Sequence, residues 1–534
     1  MRRSALNLAV ATLLIHLLLI LPGSPSGGAQ TLLRFPPELP VLLAVLCLGG
    51  AAVRVLVAAV IFVLTLQKLA DLAMHSALAR SFNPVTDLPL IDASVRLIAG
   101  SFGAVVAVAA VLLALVAAIA LAGAVWWAAG VWSARRWRRR GRMTVAGLAA
   151  LAIALALIGP LTPANSLYAT QRLDLARSSV ADLRDLRRAA AADPFADRIG
   201  LLDAIDRDVL LIFIESYGRA SFETPLYADT HLGTLRSAQA RIAAAGLSAR
   251  SGFLKAPTQG GQSWLSHSTL ASGLWIDDQT RYRAVLASGR QTLFHHARRA
   301  GFDTLAVMPA ITRPWPEAQM MGFDRILAAA DLDYRGKPFN WVTMPDQFTL
   351  SVVERLLENH PGAHPDGHPG AAAGRMLDRG RMMMQVALIS SHAPWVPVPQ
   401  MLPWDRLGDG TVFDAMALAG DPPEVVWKDR DRVRLQYREA IDYSLRAVFD
   451  FAARRGKDAP LMLILGDHQA APGIALGDGK DVALHVIGPQ ELVRRVEGWG
   501  FAPGLIPPQA GPALPMDRLR DLILRDFSRV EAPA

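Results

Sequence analysis

The sequence predicts two structural parts: an N-terminal α-helical bundle of about five membrane spans, and an α/β domain outside the membrane with a mostly parallel central sheet. Three observations support this fold class. The 534-residue chain has 52% hydrophobic residues and a mean hydropathy of +0.27, which is high for a soluble protein. Its apolar runs are concentrated in residues 1–164, and short β-rich runs alternate with helix-length stretches after residue 201. The predicted domains are therefore a transmembrane bundle over 1–164, a linker or interfacial helix over 165–200 and an α/β domain over 201–534.

The N-terminal part contains five apolar segments that are candidates for membrane spans. They cover residues 5–22, 39–53, 55–74, 97–132 and 143–161. Because a helix needs roughly 20 apolar residues to cross a bilayer, the second segment is short, and the fourth is long enough to tilt or to extend beyond the bilayer. A cleaved signal peptide over residues 1–27 is the alternative to the first span, since SPSGGAQ resembles a cleavage region.

The basic residues of this part predict its orientation. Residues 1–164 carry 13 Lys or Arg and four Asp or Glu, so this part accounts for the net charge of +8. Cytoplasmic loops collect Lys and Arg. With five spans, Arg2, Arg3, Arg54 and the run RRWRRRGR (135–142) all fall on the cytoplasmic side, which places the C-terminal part in the periplasm or at the cell surface. The charge is thus a membrane feature and does not indicate a nucleic-acid partner.

The remainder of the chain predicts a linker and an α/β domain. Residues 166–197 combine charges with helical apolar spacing, which indicates a linker or interfacial helix. Five continuous apolar runs are typical of strands covered on both faces. These predicted strands are 208–214, 303–308, 385–390, 460–466 and 483–488. Helical stretches lie between them at 230–245, 289–300 and 432–455.

Carboxylates and imidazoles follow three of the predicted strands. Glu215 comes directly after the first strand, His392 follows the third, and the pair Asp467 and His468 follows the fourth. In open α/β sheets, ligands bind where the strands end at their carboxyl edges. The sequence therefore predicts that these side chains share one site.

This set of side chains suits a metal centre with a nucleophile beside it. Glu215, Asp467 and His468 offer two carboxylates and one imidazole, which suit Zn²⁺ or Mn²⁺. A hydroxyl at a fourth position would have its pKa lowered by the metal and become a nucleophile at neutral pH. Ser263 is predicted to supply it, because the two preceding glycines of TQGGQSWLSHSTLASG (258–273) permit close approach of the backbone to a substrate. A helix beginning there would favour an anion such as a phosphoryl group.

Four motifs together resemble a known group of proteins. They are ESYGR (215–219), GGQSWLSHSTLASGL (260–274), SSHAPW (390–395) and GDHQ (466–469). In this order they resemble the sulfatase-like branch of the alkaline phosphatase superfamily, and they are most similar to the membrane-anchored lipoteichoic acid synthases and the phosphoglycerol or phosphoethanolamine transferases. The resemblance covers nearly the whole chain, and it implies a helical bundle, commonly of five spans, and an extracytoplasmic α/β domain.

The resemblance also implies roles for individual residues. Glu215, Ser263, Asp467 and His468 match the residues that bind one metal ion in that family, usually Zn²⁺ or Mn²⁺, and Ser263 matches the nucleophile. His392 matches a histidine that contacts the substrate. These roles predict a catalytic pair, Ser263 and His392, beside a four-residue metal site.

Three features depart from the family pattern. The nucleophile is Ser263, where the transferases usually have threonine. No Cys/Ser-x-Pro-x-Arg motif surrounds it, which argues against the formylglycine chemistry of classical sulfatases. Cys47, in an apolar run, is the single cysteine, so the outer domain lacks the disulfides of many phosphoethanolamine transferases. This lack favours the phosphoglycerol or another branch.

The sequence therefore predicts a membrane-anchored transferase. Ser263 attacks the phosphorus of a membrane phospholipid headgroup, and a phosphoserine intermediate passes the group to an envelope glycan or glycolipid. His392 protonates or orients the leaving or accepting oxygen, and Arg219 is a candidate for binding a phosphate oxygen. One alternative is a hydrolase of phosphate, phosphonate or sulfate esters that uses the same site. Another is a metal-free binding or scaffold protein.

The sequence does not decide the roles of several other residues. Other hydroxyls that compete with Ser263 are Thr258, Ser266 and Ser268. His267 shares a helix face with Ser263 and is left out of the site, since packing explains it equally well. His485 lies within an apolar strand and is predicted to be a core residue. Three histidines in the run 359–374 are interrupted by Pro and Gly, which favours a loop over a metal site.

Overall fold

The computed structural model describes residues 2–23, 34–78, 80–84, 87, 89–135, 137–313, 315–359 and 380–529. The chain divides into two compact units. We call Met1–Ala99 with Gly103–Asp182 the helical unit, and Gly100–Phe102 with Leu183–Ala534 the α/β unit. The cleavage-like run at 24–30 and nearly all of the histidine-containing run at 359–374 lie outside the described residues.

Seven helices are described before residue 192, and three of them are long and apolar enough to cross a membrane. The helices are α1 (Arg2–Ile20), α2 (Glu38–Leu48), α3 (Ala51–Leu78), α4 (Pro89–Phe102), α5 (Ala104–Ser133), α6 (Arg139–Leu157) and α7 (Ala164–Ala191). The three candidates for spans are α3, α5 and α6. Two other apolar helices, Ser4–Ile20 and α2, are shorter. The total of about five spans therefore stays a prediction.

Two helix boundaries lie at glycines and differ from the boundaries predicted from the sequence. Gly49 follows α2 in an extended conformation, and a side chain there would lie 2.5 Å from Val53. Arg54, predicted to mark a turn, instead lies within α3, and its guanidinium stacks 3.8 Å from the Trp126 ring. Gly103, with φ of 91°, separates α4 from α5 inside the predicted fourth segment. Hydropathy alone does not detect these breaks, since glycine is compatible with an apolar run.

The α/β unit is built on a nine-stranded mixed sheet. Its strands are β1 (Val209–Ile214), β2 (Ser248–Lys255), β3 (Phe302–Met308), β4 (Arg325–Ala328), β5 (Arg381–Leu388), β6 (Leu461–Gly466), β7 (Asp481–Gly488), β8 (Ala502–Pro503) and β9 (Leu514–Pro515). The order is β4-β3-β5-β1-β6-β7-β2-β8, with β9 paired to β2. Strands β4, β3, β5, β1 and β6 are mutually parallel. Strand β7 is antiparallel to β6 and β2, and β2 is antiparallel to β8 but parallel to β9. The predicted parallel sheet is thus correct for its central part.

Helices cover both faces of the sheet. The longer α-helices of this unit are α9 (Pro225–Ala244), α10 (Ser263–Ser272), α11 (Gln279–Leu286), α12 (Leu293–Arg299), α13 (Asp346–Glu358), α16 (Arg430–Arg454) and α19 (Leu519–Asp526). Shorter turns are α8 (Ala220–Glu223), α14 (Asp414–Ala417), α15 (Pro423–Val426), α17 (Pro472–Ala475) and α18 (Gln490–Arg494). Along β1, Leu210 and Ile212 join the core beneath α9 and α16, and Leu211 and Phe213 join the core beneath α10, α12 and α19. This alternation explains why the central strands are continuous apolar runs.

Candidate metal centre and nucleophile

The sheet order places three predicted site segments side by side. Strands β5, β1 and β6 are adjacent and parallel, so their carboxyl ends lie at one edge. Glu215 follows β1, His392 follows β5, and Asp467 and His468 follow β6. The arrangement brings together side chains that are about 250 residues apart in sequence, as shown by the backbone N–H of Ser216, which donates to Asp467 Oδ1 at 2.8 Å.

Glu215, Asp467 and His468 form a compact group of possible metal ligands. One ligand atom from each lies within 4.8 Å of the others, and the residues are 7%, 2% and 1% exposed. His468 Nε2 lies 3.1 Å from Glu215 Oε1 and 3.9 Å from Asp467 Oδ2. This nitrogen has no partner with hydrogen-bond geometry among the described residues. His468 Nδ1 is 3.1 Å from the Gln469 carbonyl, the outer contact that typically orients a metal-binding imidazole.

The electrostatics of this group fit a cation. Burial raises the pKa of Asp467, and the neighbouring Glu215 carboxylate raises it further, to about 7. Burial alone would lower the pKa of His468, but the charges of Asp467 and Glu215 raise it to about 9. Burial also opposes ionisation of Glu215, yet the charge of His468 holds the pKa of that carboxyl well below its usual range. Two buried carboxylates with a single compensating proton make a site that a divalent ion can occupy.

Close contact between backbones fixes the two loops that carry these acids. A side chain at Gly466, the last residue of β6, would lie 1.9 Å from the Tyr217 carbonyl oxygen. Glycine is therefore required at this position for the β1 and β6 ends to approach each other. Ser391 Oγ donates to the Glu215 carbonyl at 2.7 Å, which ties the β5 end to the same point.

We expect Gly466→Ala to destabilise the protein and to disturb the metal group, because the added methyl overlaps backbone atoms. Overpacking of this kind costs about 2–3 kcal/mol, which chemical denaturation measures. Gly479→Ala is the matched control, since nothing lies within 4 Å of a side chain there. Equal stability of the two variants would contradict the role given to Gly466.

Ser263 lies at the first position of α10, above the metal group. The preceding residues Gly260, Gly261 and Gln262 have φ of 76°, 142° and 68°, a backbone that glycine adopts readily. The Gly260 N–H donates to the Gln469 carbonyl at 2.8 Å, which attaches this loop to the segment carrying Asp467 and His468. Ser263 Oγ donates to Glu215 Oε2 at 3.0 Å. The structure thus brings the predicted nucleophile into contact with the predicted ligands.

His392 lies on the other side of the site and stacks on an aromatic ring. Its imidazole lies 4.0 Å from the Trp341 ring, centroid to centroid, at an interplanar angle of 18°. Its Nδ1 lies 2.6 Å from the Ala393 carbonyl, so Nδ1–H donates there and Nε2 is left for a substrate. The sequence analysis did not identify Trp341, because it lies in a loop with no periodic signal.

Asp346, which the sequence analysis missed, holds the loop before His392. Its Oδ1 accepts the N–H groups of Ile389 and Ser390, both at 2.8 Å, and its Oδ2 accepts Ser444 Oγ at 2.6 Å. Asp346 is fully buried at the start of α13. An aspartate at a helix start is a common pattern, so sequence alone does not separate this one from an ordinary capping residue.

Removal of the Asp346 carboxylate is expected to loosen the β5 end. Asp346→Ala leaves two buried N–H groups and one hydroxyl without acceptors, at a cost of about 3 kcal/mol or more. Asp346→Asn keeps one acceptor oxygen and is expected to lose much less. The midpoint of urea unfolding distinguishes them, and equal midpoints would contradict this assignment.

A cavity of about 570 Å³ joins these groups. Glu215, Ser263, Asp467 and His392 all contribute to its wall. The rest of the wall is rich in aromatic and long apolar side chains, including Phe213, Trp264, Tyr282, Met308, Ile311, Trp315, Met321 and Trp341. Such a cavity suits a substrate larger than a simple phosphate ion.

His267 also lines this cavity. It is 6% exposed, its ring centroid lies 4.1 Å from that of Phe213, and burial lowers its pKa to about 4. Its Nε2 has no hydrogen-bond partner in the described part of the chain. His485, by contrast, is a core residue, bonded to Ser251 Oγ at 2.7 Å and to the Tyr217 hydroxyl at 3.1 Å.

The structure does not bring Arg219 to this site. Its guanidinium pairs with Glu223 at 2.6 Å and with Asp481 at 3.0 Å, and it donates to the Gln509 carbonyl at 2.9 Å. It is absent from the described wall of the cavity. All three nitrogens of its guanidinium thus have a partner away from the metal group, so we leave Arg219 out of the site proposed below.

Comparison with known proteins gives matches only at the level of structure. No protein-family model and no curated protein matches the chain. Lipoteichoic acid synthase LtaP from Listeria monocytogenes is similar with 11% identity and a TM-score of 0.36, over 58% of this chain and 71% of that one. Phosphoglycerol transferase GacH from Streptococcus pyogenes has 12% identity and a TM-score of 0.36, over 66% and 92%. Phosphonate monoester hydrolase SpPMH from Silicibacter pomeroyi has 13% identity and a TM-score of 0.33, over 62% and 78%.

The matched structures are of the kinds that the motifs resemble, and one of them is described as a protein of the alkaline phosphatase superfamily, from Vibrio parahaemolyticus. Their identities are below 15% and their TM-scores are below 0.5, so the substrate and reaction of this chain do not follow from them.

Proposed function

We propose that this protein is a membrane-anchored, metal-dependent transferase that moves a phosphorylated headgroup, phosphoglycerol or phosphoethanolamine, from a membrane phospholipid to a hydroxyl of an envelope glycan or glycolipid. The observation that carries the proposal is the 3.0 Å contact of Ser263 Oγ with Glu215 Oε2, within the buried group that includes Asp467 and His468. The three apolar helices of the helical unit support anchoring in the cell membrane. The predicted orientation places the domain over 201–534 outside.

Glu215, Asp467 and His468, with Ser263 as a fourth ligand, would hold one divalent cation. Two carboxylates, an imidazole and a hydroxyl suit Zn²⁺ or Mn²⁺, and the unpartnered His468 Nε2 supports a cation at this position. When bound, such an ion lowers the pKa of a coordinated hydroxyl and neutralises charge on phosphoryl oxygens.

In the first half of the reaction, Ser263 Oγ forms a bond to phosphorus as the bond from phosphorus to the diacylglycerol oxygen breaks. Ser263 releases its proton to solvent before the lipid binds, and protonated His392 gives one from Nε2 to the departing oxygen. The N-terminal amides of α10 face the phosphoryl group and stabilise its negative charge. Trp341 holds the His392 ring in place through the stacking contact.

In the second half, the acceptor hydroxyl attacks phosphorus and the bond to Ser263 Oγ breaks. Neutral His392 takes the proton of the acceptor, and the released Ser263 oxygen takes a proton back from solvent, so both residues return to their starting states. The aromatic wall of the cavity supports transfer, because it offers apolar surface on which an acceptor glycan can be positioned beside the intermediate.

Intact-mass measurement of the full chain after exposure to membrane phospholipids tests the proposal. We expect a covalent adduct on Ser263 with the mass of a phosphorylated headgroup, and its disappearance when the acceptor glycan is added. Release of the headgroup only as a free soluble product would support hydrolysis instead. The absence of any adduct, together with unchanged turnover in Ser263→Ala, would contradict both reactions at this residue.

A further inference from the structure

A second cavity, remote in sequence from the metal ligands, combines apolar and basic side chains in the α/β unit. Its volume is about 600 Å³, and its apolar lining includes Phe195 and Leu522. Three arginines also line it: Arg198, Arg518 and Arg525. We call this cavity and the adjoining Ile199 the arginine patch. An apolar surface bordered by several guanidinium groups is unusual for a part of a protein that contacts only water.

Ile199 is the most exposed large hydrophobic side chain of the described residues, at 89%. It directly follows Arg198, which lines the cavity. A single exposed aliphatic residue needs no explanation, but Ile199 lies within one residue of the cavity lining and so adds an exposed aliphatic side chain next to Arg198.

The arginine patch has an excess of positive charge. The acid in its lining, Asp521, pairs with the buried Arg520 at 2.7 Å. Arg525 pairs with Asp526 at 2.6 Å. Arg198 and Arg518 form no salt bridge with any described residue, and Arg198 lies 5.0 Å from the Phe195 ring centroid. Neither guanidinium is therefore held in a salt bridge, although the charge of Arg518 also acts on the adjacent Asp517.

The backbone under the arginine patch is held firmly. Arg299 donates to the carbonyls of Phe195 and Arg198, at 3.5 Å and 2.7 Å. The buried Arg520 pairs with Asp193 at 2.5 Å, at the other end of the same segment. The backbone that carries Ile199 is thus fixed by these contacts, so ligand binding adds little cost of backbone ordering.

We propose that the arginine patch binds the surface of an anionic phospholipid bilayer. Ile199 enters the interfacial layer, and Arg198 and Arg518 contact lipid phosphates. Basic residues beside exposed aliphatic side chains are the combination that binds such interfaces. Charge complementarity favours this occupant, and the apolar helices of the same chain favour a bilayer nearby. A free phosphate would use the arginines but not Ile199. The inference rests on the membrane anchorage in the proposed function, and it adds a second, lipid-selective contact made by the α/β unit itself.

The test uses the full chain in lipid nanodiscs, with a fluorophore on Ile199→Cys in a Cys47→Ala background and a quencher on the lipid acyl chains. Leu418→Cys, also an exposed apolar position at 70%, is the matched control. We expect the probe at 199 to be quenched strongly when phosphatidylglycerol is present, and the probe at 418 not to be. Arg198→Glu and Arg518→Glu should each lower the ratio of quenched to unquenched probe at position 199 by about fivefold or more. The same result is expected with Ser263→Ala, because the contact does not depend on turnover.

Equal quenching at the two positions, or quenching at 199 that ignores both phosphatidylglycerol and charge reversal, would overturn the inference. In detergent, the probe at 199 could become shielded from solvent as the protein concentration rises. That result would indicate that a second copy of the chain covers the arginine patch, and it would also overturn the inference. A chain that co-elutes with lipid but shows no quenching at 199 disproves only this contact. A chain that does not co-elute with lipid disproves the anchorage and, with it, this inference.

Discussion

Ser263→Ala is expected to lower the rate of headgroup transfer by at least about 10³-fold, because it removes the atom that bonds to phosphorus. The variant should remain folded and should still bind metal. The hydroxyl makes one described hydrogen bond, to Glu215 Oε2, and three other ligands remain. Turnover of labelled phospholipid, with metal content measured on the same sample, gives both quantities.

Two further variants separate chemistry from packing. Ser266 is fully buried on the same helix, and its hydroxyl has no partner among the described residues, so Ser266→Ala should retain normal turnover. Ser263→Thr keeps a hydroxyl at the required position and should retain measurable activity. If Ser263→Ala turned over at the normal rate, or if Ser266→Ala lost activity to the same extent, the nucleophile would be wrongly assigned.

The second large effect is expected on metal binding. Glu215→Gln replaces an anionic ligand with a neutral amide of the same shape, and it leaves Asp467 as the single carboxylate of the described group. Loss of a residue that only orients a ligand weakens binding by roughly 10–100-fold, so loss of a ligand should cost at least about 100-fold. Metal content after dialysis at limiting free metal should fall from one ion per chain to a small fraction.

Thermal stability provides an independent measure of the same loss. Metal at roughly 1,000 times its Kd stabilises the folded state by about 4 kcal/mol, so chelation should lower the Tm of the wild type and leave that of Glu215→Gln nearly unchanged. Glu223→Gln is the matched control, because Glu223 pairs with Arg219 outside the metal group. A chelation effect of equal size in the wild type and Glu215→Gln would mean that the metal binds elsewhere.

The central sheet was predictable because its strands have a strong and simple signal. Strands β1, β5 and β6 are buried on both faces, so nearly every position is apolar. Strand β2 was missed because its sequence, SARSGFLK, begins with polar and small residues whose side chains are only partly buried. The direction of β7 was also not predictable, since an apolar run looks the same in either direction.

The candidate site was predictable where a residue directly follows a strand. Glu215, Asp467 and His468 follow parallel strands, and the fold class predicts that such residues lie at one edge of the sheet. Their direct proximity depends on the pairing of β1 with β6, which the structure shows. Trp341 acts by stacking on the His392 ring, and Asp346 acts by accepting hydrogen bonds from backbone N–H groups of the loop before His392. No local pattern encodes such contacts. Arg219 also follows a strand, but its guanidinium contacts Glu223, Asp481 and the Gln509 carbonyl, partners that the sequence does not indicate.

The most direct test of this account is an experimental structure of the chain with Mn²⁺, recorded at a wavelength where manganese scatters anomalously. We predict one peak bonded to a Glu215 oxygen, an Asp467 oxygen, His468 Nε2 and Ser263 Oγ, at about 2.0–2.3 Å from each. A peak at another place in the α/β unit, or none at saturating metal with these side chains ordered, would contradict the central claim that a single cation binds beside the Ser263 hydroxyl.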